Sequence, residues 1–177
     1  MNTTECIKTR RSIRKYKGDK VDREIIAQIV SEASYAPSWK HTQIARYIAV
    51  EDEAMRARIA SHCAPYNAEI VKQAPVVMVV SFIKGRSGYE RDGSFTNAKG
   101  TGWQMLDTGI ACQTLCLAAH DKGLGTVIMG VFDDVGVAKE LDVSESQEVA
   151  VLIALGYADI EPETPKRKAV EELLRYM

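Results

Sequence analysis

The chain has 177 residues, and 46% of them are hydrophobic, which is enough to build the core of one domain. Its 23 Lys and Arg residues nearly balance its 24 Asp and Glu residues, so no net positive field favours a nucleic acid partner. The longest apolar run, residues 74–83, is about half of the roughly 20 residues that span a membrane, and the polar residues 1–15 lack the apolar stretch of a secretory signal. We therefore expect one cytoplasmic domain over residues 1–177, without a membrane partner.

The first half of the chain alternates helical and extended patterns. Residues 22–35 carry apolar side chains at helical spacing and stop before Pro37, which predicts a helix lying on the core. Residues 44–50 alternate in polarity as a strand does, and the acidic residues after them predict a helix that ends near His62. The valine-rich residues 75–83 predict a central strand that is covered on both faces.

The second half opens with residues 84–99, a polar and glycine-bearing stretch that predicts a long mobile loop of the kind that often covers a binding site. Residues 103–122 are apolar around most of a helical circumference, which predicts the most buried helix. The later patterns predict a strand over 126–132, a helix over 133–141, a strand over 149–155 and a helical tail over 170–176. This order favours an α+β sandwich on a mixed sheet, with an open doubly wound sheet as the second choice.

Two basic clusters near the ends of the chain suit the binding of one anion. They are Arg10, Arg11, Ser12 and Arg14 at the start, and Lys166, Arg167 and Lys168 in the tail. Guanidinium groups bind phosphate oxygens in pairs, and a Ser hydroxyl adds a neutral donor, so the first cluster is suited to a phosphate. The first cluster taken alone is equally typical of a solvated basic surface, and the second taken alone is more typical of one, so the second supports an anion site only together with the first.

The loop between the first predicted helix and the first predicted strand combines apolar faces with polar groups. Pro37 and Trp39 offer apolar faces, while Ser38 and Gln43 can reach polar edge atoms. This combination suits a flat heteroaromatic ligand. An ordinary capped loop with its indole in the core would contain the same residues.

Several common catalytic patterns are absent from the sequence. The four cysteines form no CxxC pair and the three histidines lie far apart, so we expect free thiols and no metal site. Neither GxGxxG nor GxxxxGK[ST] occurs, and no GxSxG points to a nucleophile. Chemistry supplied by a bound cofactor is the simplest remaining explanation.

Four segments, in this order, resemble the nitroreductase family of FMN-dependent enzymes. They read RRSIRKY at 10–16, APSWKHTQ at 36–43, GLGTVIMG at 123–130, and LGY at 155–157 with KRK at 166–168. The resemblance covers nearly the whole chain. It implies an α+β sandwich with a mixed, mainly antiparallel central sheet flanked by helices. It also implies a homodimer of interlocked helices with one FMN per subunit at the interface, toward which a tail of about residues 157–177 extends.

The resemblance further implies which residues bind FMN. The phosphate and ribityl chain are assigned to Arg10, Ser12, Arg14 and Arg167, with Arg11, Lys166 and Lys168 as less certain members. Pro37, Ser38, Trp39 and Gln43 are expected to reach the flavin of the partner subunit. Asn67 is expected to hydrogen-bond the pyrimidine edge of the ring, and the backbone of Ile128, Met129 and Gly130 to face flavin N5, where an N–H donor steadies charge on the reduced ring.

The sequence departs from the family pattern at two places. His41 stands where the family often has Asn, and His titrates near neutrality, which leaves the flavin contact at this position open. The substrate-covering excursion of larger relatives is shortened, so Tyr89, Phe95 and Trp103 remain as candidates to contact a substrate.

The reaction implied by the resemblance is ping-pong hydride transfer from NADH or NADPH, through FMN, to nitroaromatics, quinones or similar small electron-poor aromatic acceptors. No protein nucleophile is needed. Two alternatives stay open. The same scaffold can host other flavin chemistry, such as reductive dehalogenation. The protein can also store FMN, or regulate through it, with little turnover.

Overall fold

Four stretches of alternating or continuously apolar residues form one antiparallel sheet. The computed structural model describes residues 1–177, and its strands are β1 (Ala45–Val50), β2 (Val76–Ile83), β3 (Gly125–Met129) and β4 (Gln147–Gly156). Their order across the sheet is β1-β2-β4-β3, and every neighbouring pair is antiparallel. Strands β1 and β3 are therefore the two edges, roughly 14 Å apart at the usual spacing between strands.

Helices cover both faces of this sheet. The helices of the chain are α1 (Thr3–Thr9), α2 (Arg23–Ala33), α3 (Glu53–Ser61), α4 (Pro65–Gln73), α5 (Gly102–Asp121), α6 (Asp134–Glu140) and α7 (Val170–Leu173), with a 3-10 turn at Trp39–His41. Helix α7 buries no residue and takes no part in covering the sheet. None of the helices has the length and the apolar character that crossing a membrane would require.

The central strand β2 joins two hydrophobic cores because its side chains alternate between the faces of the sheet. Met78 and Val80 lie in the core that contains residues of α2 and α5. Val77 and Val79 lie in the core that contains residues of α3, α4 and α6. All but the last residue of β2 is buried, as the valine-rich pattern predicts. The result is a three-layer sandwich.

The α+β prediction is confirmed, and the doubly wound alternative is wrong because no two strands of the sheet run parallel. The only parallel backbone pairing is an isolated bridge between Ser12, which lies ahead of the first strand in sequence, and Thr126 of β3. Residues 84–99 have no helix or strand, as predicted, yet they fold back on themselves. The N–H of Glu90 donates to the Ser94 carbonyl over 2.8 Å, and Tyr89 forms a bridge with Phe95.

Two helices were not predicted from the sequence, and two predicted elements are shorter than expected. Helix α1 buries only Cys6, so it leaves no apolar periodicity, although the Asn2 side chain caps it. Helix α4 begins with Pro65 at its first turn and follows α3 closely. Strand β3 ends at Met129, three residues before the predicted end, and α7 is a single turn within the predicted 170–176.

Tyr47 leads us to expect a loss of stability at alkaline pH. Burial raises the pKa of Tyr47 from about 10 to about 12. The unfolded chain ionises this phenol first, so the free energy of unfolding should fall as pH rises from about 10 to about 12. Thermal melting between pH 8 and 12 should show a shallower loss in Tyr47→Phe, whereas Tyr66→Phe, at an exposed ring, should follow the wild type. Equal slopes for the wild type and Tyr47→Phe would contradict this expectation.

Candidate functional site

Two glycines allow the first basic cluster to lie flat against the edge of the sheet. Gly125 at the start of β3 pairs with Gly156 at the end of β4. A Cβ on Gly125 would meet Ile13 Cγ1 at 2.5 Å, and a Cβ on Gly156 would meet the Pro75 ring at 2.5 Å and Tyr16 at 3.1 Å. The N–H of Ile13 donates to the Thr126 carbonyl over 2.9 Å, which fixes the register of the segment.

The side chains of this cluster are not neutralised by any acidic residue. Arg10 ends α1, and its guanidinium makes no hydrogen bond or salt bridge. Arg14 contacts only the Ser12 carbonyl, over 3.3 Å, and is exposed. Burial, together with the positive charges of Arg10 and Arg11, lowers the pKa of nearby His120. The edge beside β3 therefore presents unpaired positive charge and a free hydroxyl, which suit a phosphate.

The tail approaches the first cluster at one point. The guanidinium of Arg11 donates to the Thr164 hydroxyl and to the carbonyl oxygens of Lys8 and Arg10. Thr164 is two residues before Lys166, so this contact holds the chain just ahead of the second basic cluster against the first. Its members, Lys166, Arg167 and Lys168, are exposed and form no hydrogen bond or salt bridge with the rest of the chain.

The end of β3 leaves backbone groups free along the same edge. Because the Thr126 carbonyl points to Ile13, away from β4, the alternation of a strand directs the backbone N–H of Ile128 to the same free side and that of Met129 toward β4. The Ile128 side chain is 43% exposed, and that of Met129 is 4% exposed. Gly130 follows the strand and is exposed.

Asn67 lies on α4 next to this strand end. Its amide nitrogen donates to the Val131 carbonyl over 3.2 Å, and the N–H of Ala64 donates to the same oxygen over 3.3 Å. The structure therefore places the first basic cluster, Asn67 and the end of β3 along one edge of the sheet.

The 37–43 loop lies at the opposite edge, where it leads into β1. The Ser38 hydroxyl accepts the N–H of Gln43 over 3.0 Å, and the Trp39 N–H donates to Asp107 Oδ2 over 2.9 Å. Pro37 is exposed and lines a cavity of about 410 Å³ with Ser38, Gln43 and apolar residues of α2 and β1. Within one chain, the loop is thus separated from the basic cluster by the width of the sheet.

The 37–43 loop is strained and not fully hydrogen-bonded. Lys40, His41 and Gln43 all adopt positive φ angles, of 43°, 58° and 46°, which side-chain-bearing residues rarely adopt. Trp39 Nε1 and Thr42 Oγ1 are buried without a hydrogen-bond partner. Such unpaired buried groups are costly, so a partner from outside the chain, such as a ligand or a second subunit, would stabilise this loop. The His41 ring contacts the Gln43 amide at 2.6 Å.

The groups present are those that a phosphate-bearing flavin requires. Guanidinium groups that no acidic residue neutralises and a hydroxyl suit its phosphate. Free backbone N–H groups and an amide suit the polar edge of its ring, and the aromatic side chain of the 37–43 loop suits the flat face. The ring of Trp39 lies against that of Trp103, with centroids 4.3 Å apart. Trp39 is only partly buried, so it is not a residue of the hydrophobic core.

Three contacts of the 37–43 loop were not predicted from the sequence. They involve Asp107 and Trp103 on α5 and the ion pair between Lys40 and Glu90, whose Nζ and Oε1 are 2.8 Å apart. One sign of the first was available, because Asp107 is the one acidic residue within the mainly apolar pattern of 103–119.

Comparison with known proteins gives a consistent family assignment. The model of the Nitroreductase family matches residues 7–65 and 61–157. A protein of Methanothermobacter thermautotrophicus, provisionally named an NADH dehydrogenase/NAD(P)H nitroreductase, is 36% identical over 168 residues, which cover 93% of this chain and 81% of the relative. An iodotyrosine deiodinase of Thermotoga neapolitana is 24% identical over 195 residues, with 97% and 96% of the two chains covered.

Solved structures with a similar fold include a nitroreductase. A crystal structure from Exiguobacterium sibiricum, of a provisionally named nitroreductase in complex with FMN, superposes with a TM-score of 0.86 at 23% identity. The superposition covers all of this chain and 98% of the other. The family model matches most of this chain, and one relative is more than 30% identical to it. The chain therefore belongs to the nitroreductase family.

Proposed function

We propose that this protein is an FMN-dependent NAD(P)H oxidoreductase that reduces nitroaromatics, quinones or similar electron-poor acceptors. The observation that carries the proposal is the row of donors along the β3 edge that no acidic residue neutralises: Arg10, Ser12 and Arg14, followed by the free backbone of Ile128 and the Asn67 amide. The FMN-bound fold relative and the provisional NAD(P)H nitroreductase name of the 36% identical relative support it.

The phosphate is held by Arg10, Ser12 and Arg14, with help from the second basic cluster. Two guanidiniums and a hydroxyl can each bond a different phosphate oxygen, and the arginines remain charged at any working pH. Arg11 contributes less directly, because its donors are already used on Thr164 and on backbone carbonyls. Its bond to Thr164 orients the start of the tail, so that Lys166, Arg167 and Lys168 add positive charge nearby.

The edge of the flavin ring is held by Asn67 and by the backbone at the end of β3. A backbone N–H fixed by the sheet needs no reorganisation when charge develops near it, which is the usual advantage of such donors. The N–H groups of Ile128 and Gly130 supply this contact, while the buried Met129 side chain anchors the strand end in the core.

A second copy of the chain completes the site. The 37–43 loop and the basic cluster lie at opposite edges of one sheet, so a ring held by one chain receives Pro37, Ser38, Trp39 and Gln43 from the other. The exposed face of α5, including Met105 and Leu106 at 50% and 49% exposure, is the apolar surface for this homodimer. The tail of about residues 157–177, whose Leu173 is 70% exposed, extends toward the partner.

When bound, FMN supplies the hydride chemistry that lets NADH or NADPH reduce an acceptor in a ping-pong sequence. The residues of the chain bind and orient the flavin and leave one face of the ring open. Trp39, Trp103, Tyr89 and Phe95 restrict that opening to flat molecules. No side chain is required as a nucleophile.

The test is anaerobic stopped-flow mixing of the purified protein with NADH and then, separately, with NADPH. We expect at least one of them to bleach the flavin absorbance, and a nitroaromatic or a quinone to restore it. A flavin that neither nucleotide reduces would reject the proposed reaction.

A second candidate function is reductive dehalogenation, which the iodotyrosine deiodinase relative favours. Turnover of a halogenated phenol at a rate above that of nitroaromatics would support this candidate. Tight FMN binding without turnover of any acceptor would instead indicate a flavin-storage or regulatory protein.

A further inference from the structure

Asp107 is the one charged residue that is buried in the sandwich, with 5% of its surface exposed. It lies on α5, and no Lys, Arg or His side chain pairs with it. Its Oδ2 atom accepts the backbone N–H of Trp39 over 2.9 Å and also the hydroxyl of Ser87. A buried carboxylate is stable only when donors surround it, so these two bonds are what keep Asp107 in place.

The two donors belong to two different loops. Trp39 is in the 37–43 loop, and Ser87 is in the loop formed by residues 84–100, which we call the hairpin loop. One oxygen atom therefore fixes the position of one loop relative to the other. Ser87 is fully buried.

Further contacts reinforce the same connection. Gln104, one turn before Asp107, accepts the N–H of Gly85 over 2.7 Å. The Trp103 indole N–H donates to Asn97 Oδ1 over 3.0 Å, while its ring lies against Trp39. The hairpin loop is thus fastened to α5 at both ends, and α5 is fastened to the 37–43 loop.

The rest of the hairpin loop has little that would hold it in place. Its charged residues and Phe95 are exposed. Apart from the Lys84 N–H bond to the Ser146 carbonyl and the Lys40–Glu90 ion pair, its remaining hydrogen bonds run within the loop or to the start of α5, such as Thr96 N–H to the Gly88 carbonyl over 2.9 Å. The ion pair also joins the two loops, but both of its side chains are exposed, so it contributes little. Segments with few buried contacts open easily, and their order depends on the few contacts they make.

We propose that Asp107 is a positioning residue that makes the hairpin loop part of the flavin site. The ordered hairpin loop keeps Asp107 Oδ2 in place through Ser87, and Asp107 in turn holds the strained 37–43 loop in the conformation that contacts the flavin of the partner. The inference rests on the proposed FMN site. Because coupling between two equilibria is reciprocal, FMN should order the hairpin loop by the same factor by which the loop strengthens FMN binding.

The test compares Ser87→Ala with Ser94→Ala in the full-length protein. Both remove one hydroxyl from the hairpin loop, but the Ser94 hydroxyl is exposed and bonds only Asp92 within the loop. Two quantities are measured: the FMN dissociation constant by fluorescence titration, and the rate of tryptic cleavage after Arg91, an exposed site in the loop, with and without FMN.

In the wild type we expect saturating FMN to slow cleavage after Arg91 by about 5-fold, the lower end of typical coupling. Ser87→Ala should weaken FMN binding by about 5-fold and lose most of that protection, whereas Ser94→Ala should keep both. Cleavage that FMN does not slow, or equal FMN affinity in Ser87→Ala and the wild type, would overturn the inference while leaving the FMN site intact. A wild-type protein that binds no FMN would reject both.

Substitution of Asp107 itself separates positioning from a general loss of folding. Asp107→Asn keeps an oxygen that can accept both bonds and should retain FMN affinity within about 2-fold, whereas Asp107→Leu, which has the same number of side-chain heavy atoms but no acceptor, should lose it. Both tryptophans of the chain belong to the Trp39–Trp103 pair, so the near-ultraviolet circular dichroism of the apoprotein reports on this region directly. Asp107→Leu and Ser87→Ala should both change that spectrum. Unchanged spectra and unchanged FMN affinity in both variants would contradict the positioning role.

Discussion

Arg10→Ala should weaken FMN binding by about 10-fold to 150-fold, equivalent to about 1.5–3 kcal/mol, because it removes the charged hydrogen bond that we propose Arg10 makes to the phosphate. The Arg10 side chain makes no contact that the fold needs, since its only hydrogen bond as the α1 cap comes from its backbone N–H. The melting temperature should therefore stay close to that of the wild type. Fluorescence titration of the apoprotein with FMN measures the effect.

The control for this prediction is Lys8→Ala, which removes one positive charge from the last turn of α1 at an exposed position. It should change FMN affinity much less, because an exposed charge at a distance is screened by salt. Equal losses in the two variants would mean that the edge beside β3 acts only through its overall charge, and unchanged affinity in Arg10→Ala would remove Arg10 from the site.

Gly125→Ala should reduce both stability and FMN affinity. The new Cβ would lie 2.5 Å from Ile13 Cγ1 and 2.8 Å from Ile13 Cβ, and the second of these atoms cannot move without its backbone. Overpacking of this kind typically lowers the free energy of unfolding by about 1–3 kcal/mol. Since Ile13 stands between Ser12 and Arg14, its displacement should also misplace two of the proposed phosphate donors.

The matched control for this variant is Gly18→Ala, where an added Cβ meets nothing within 4 Å and φ is not in the left-handed region. Urea unfolding and FMN titration of both variants measure the two effects. If Gly125→Ala unfolded at the urea concentration of the wild type, the close packing of residues 12–16 on the glycine pair would not be needed for stability.

Much of the fold follows from periodicity in the sequence. Strand β2 and helix α5 were predictable because each carries a long apolar pattern that packing alone can satisfy. Helix α1 was not, because its five polar residues, the buried Cys6 and the exposed Ile7 make no apolar face, and the helix depends on a cap and on contact with α5. The order and direction of the strands in the sheet depend on contacts between distant segments, so local patterns in the sequence do not specify them.

The site was predictable in its segments but not in its connections. The basic cluster and the 37–43 loop stand out as short runs of unusual composition. The bonds from Asp107 to Trp39 and Ser87 join residues 68 and 20 positions apart, and nothing in a local pattern specifies such a pairing. Likewise, the placement of Asn67 beside Val131 depends on how α4 packs against the end of β3.

Native mass spectrometry of the purified protein tests most directly the claim that two chains build the FMN sites. We expect a species with the mass of two chains and two FMN molecules, which releases FMN when the protein is denatured. A single chain that carries no flavin, and that takes up none when FMN is added, would rule out a site shared by two chains.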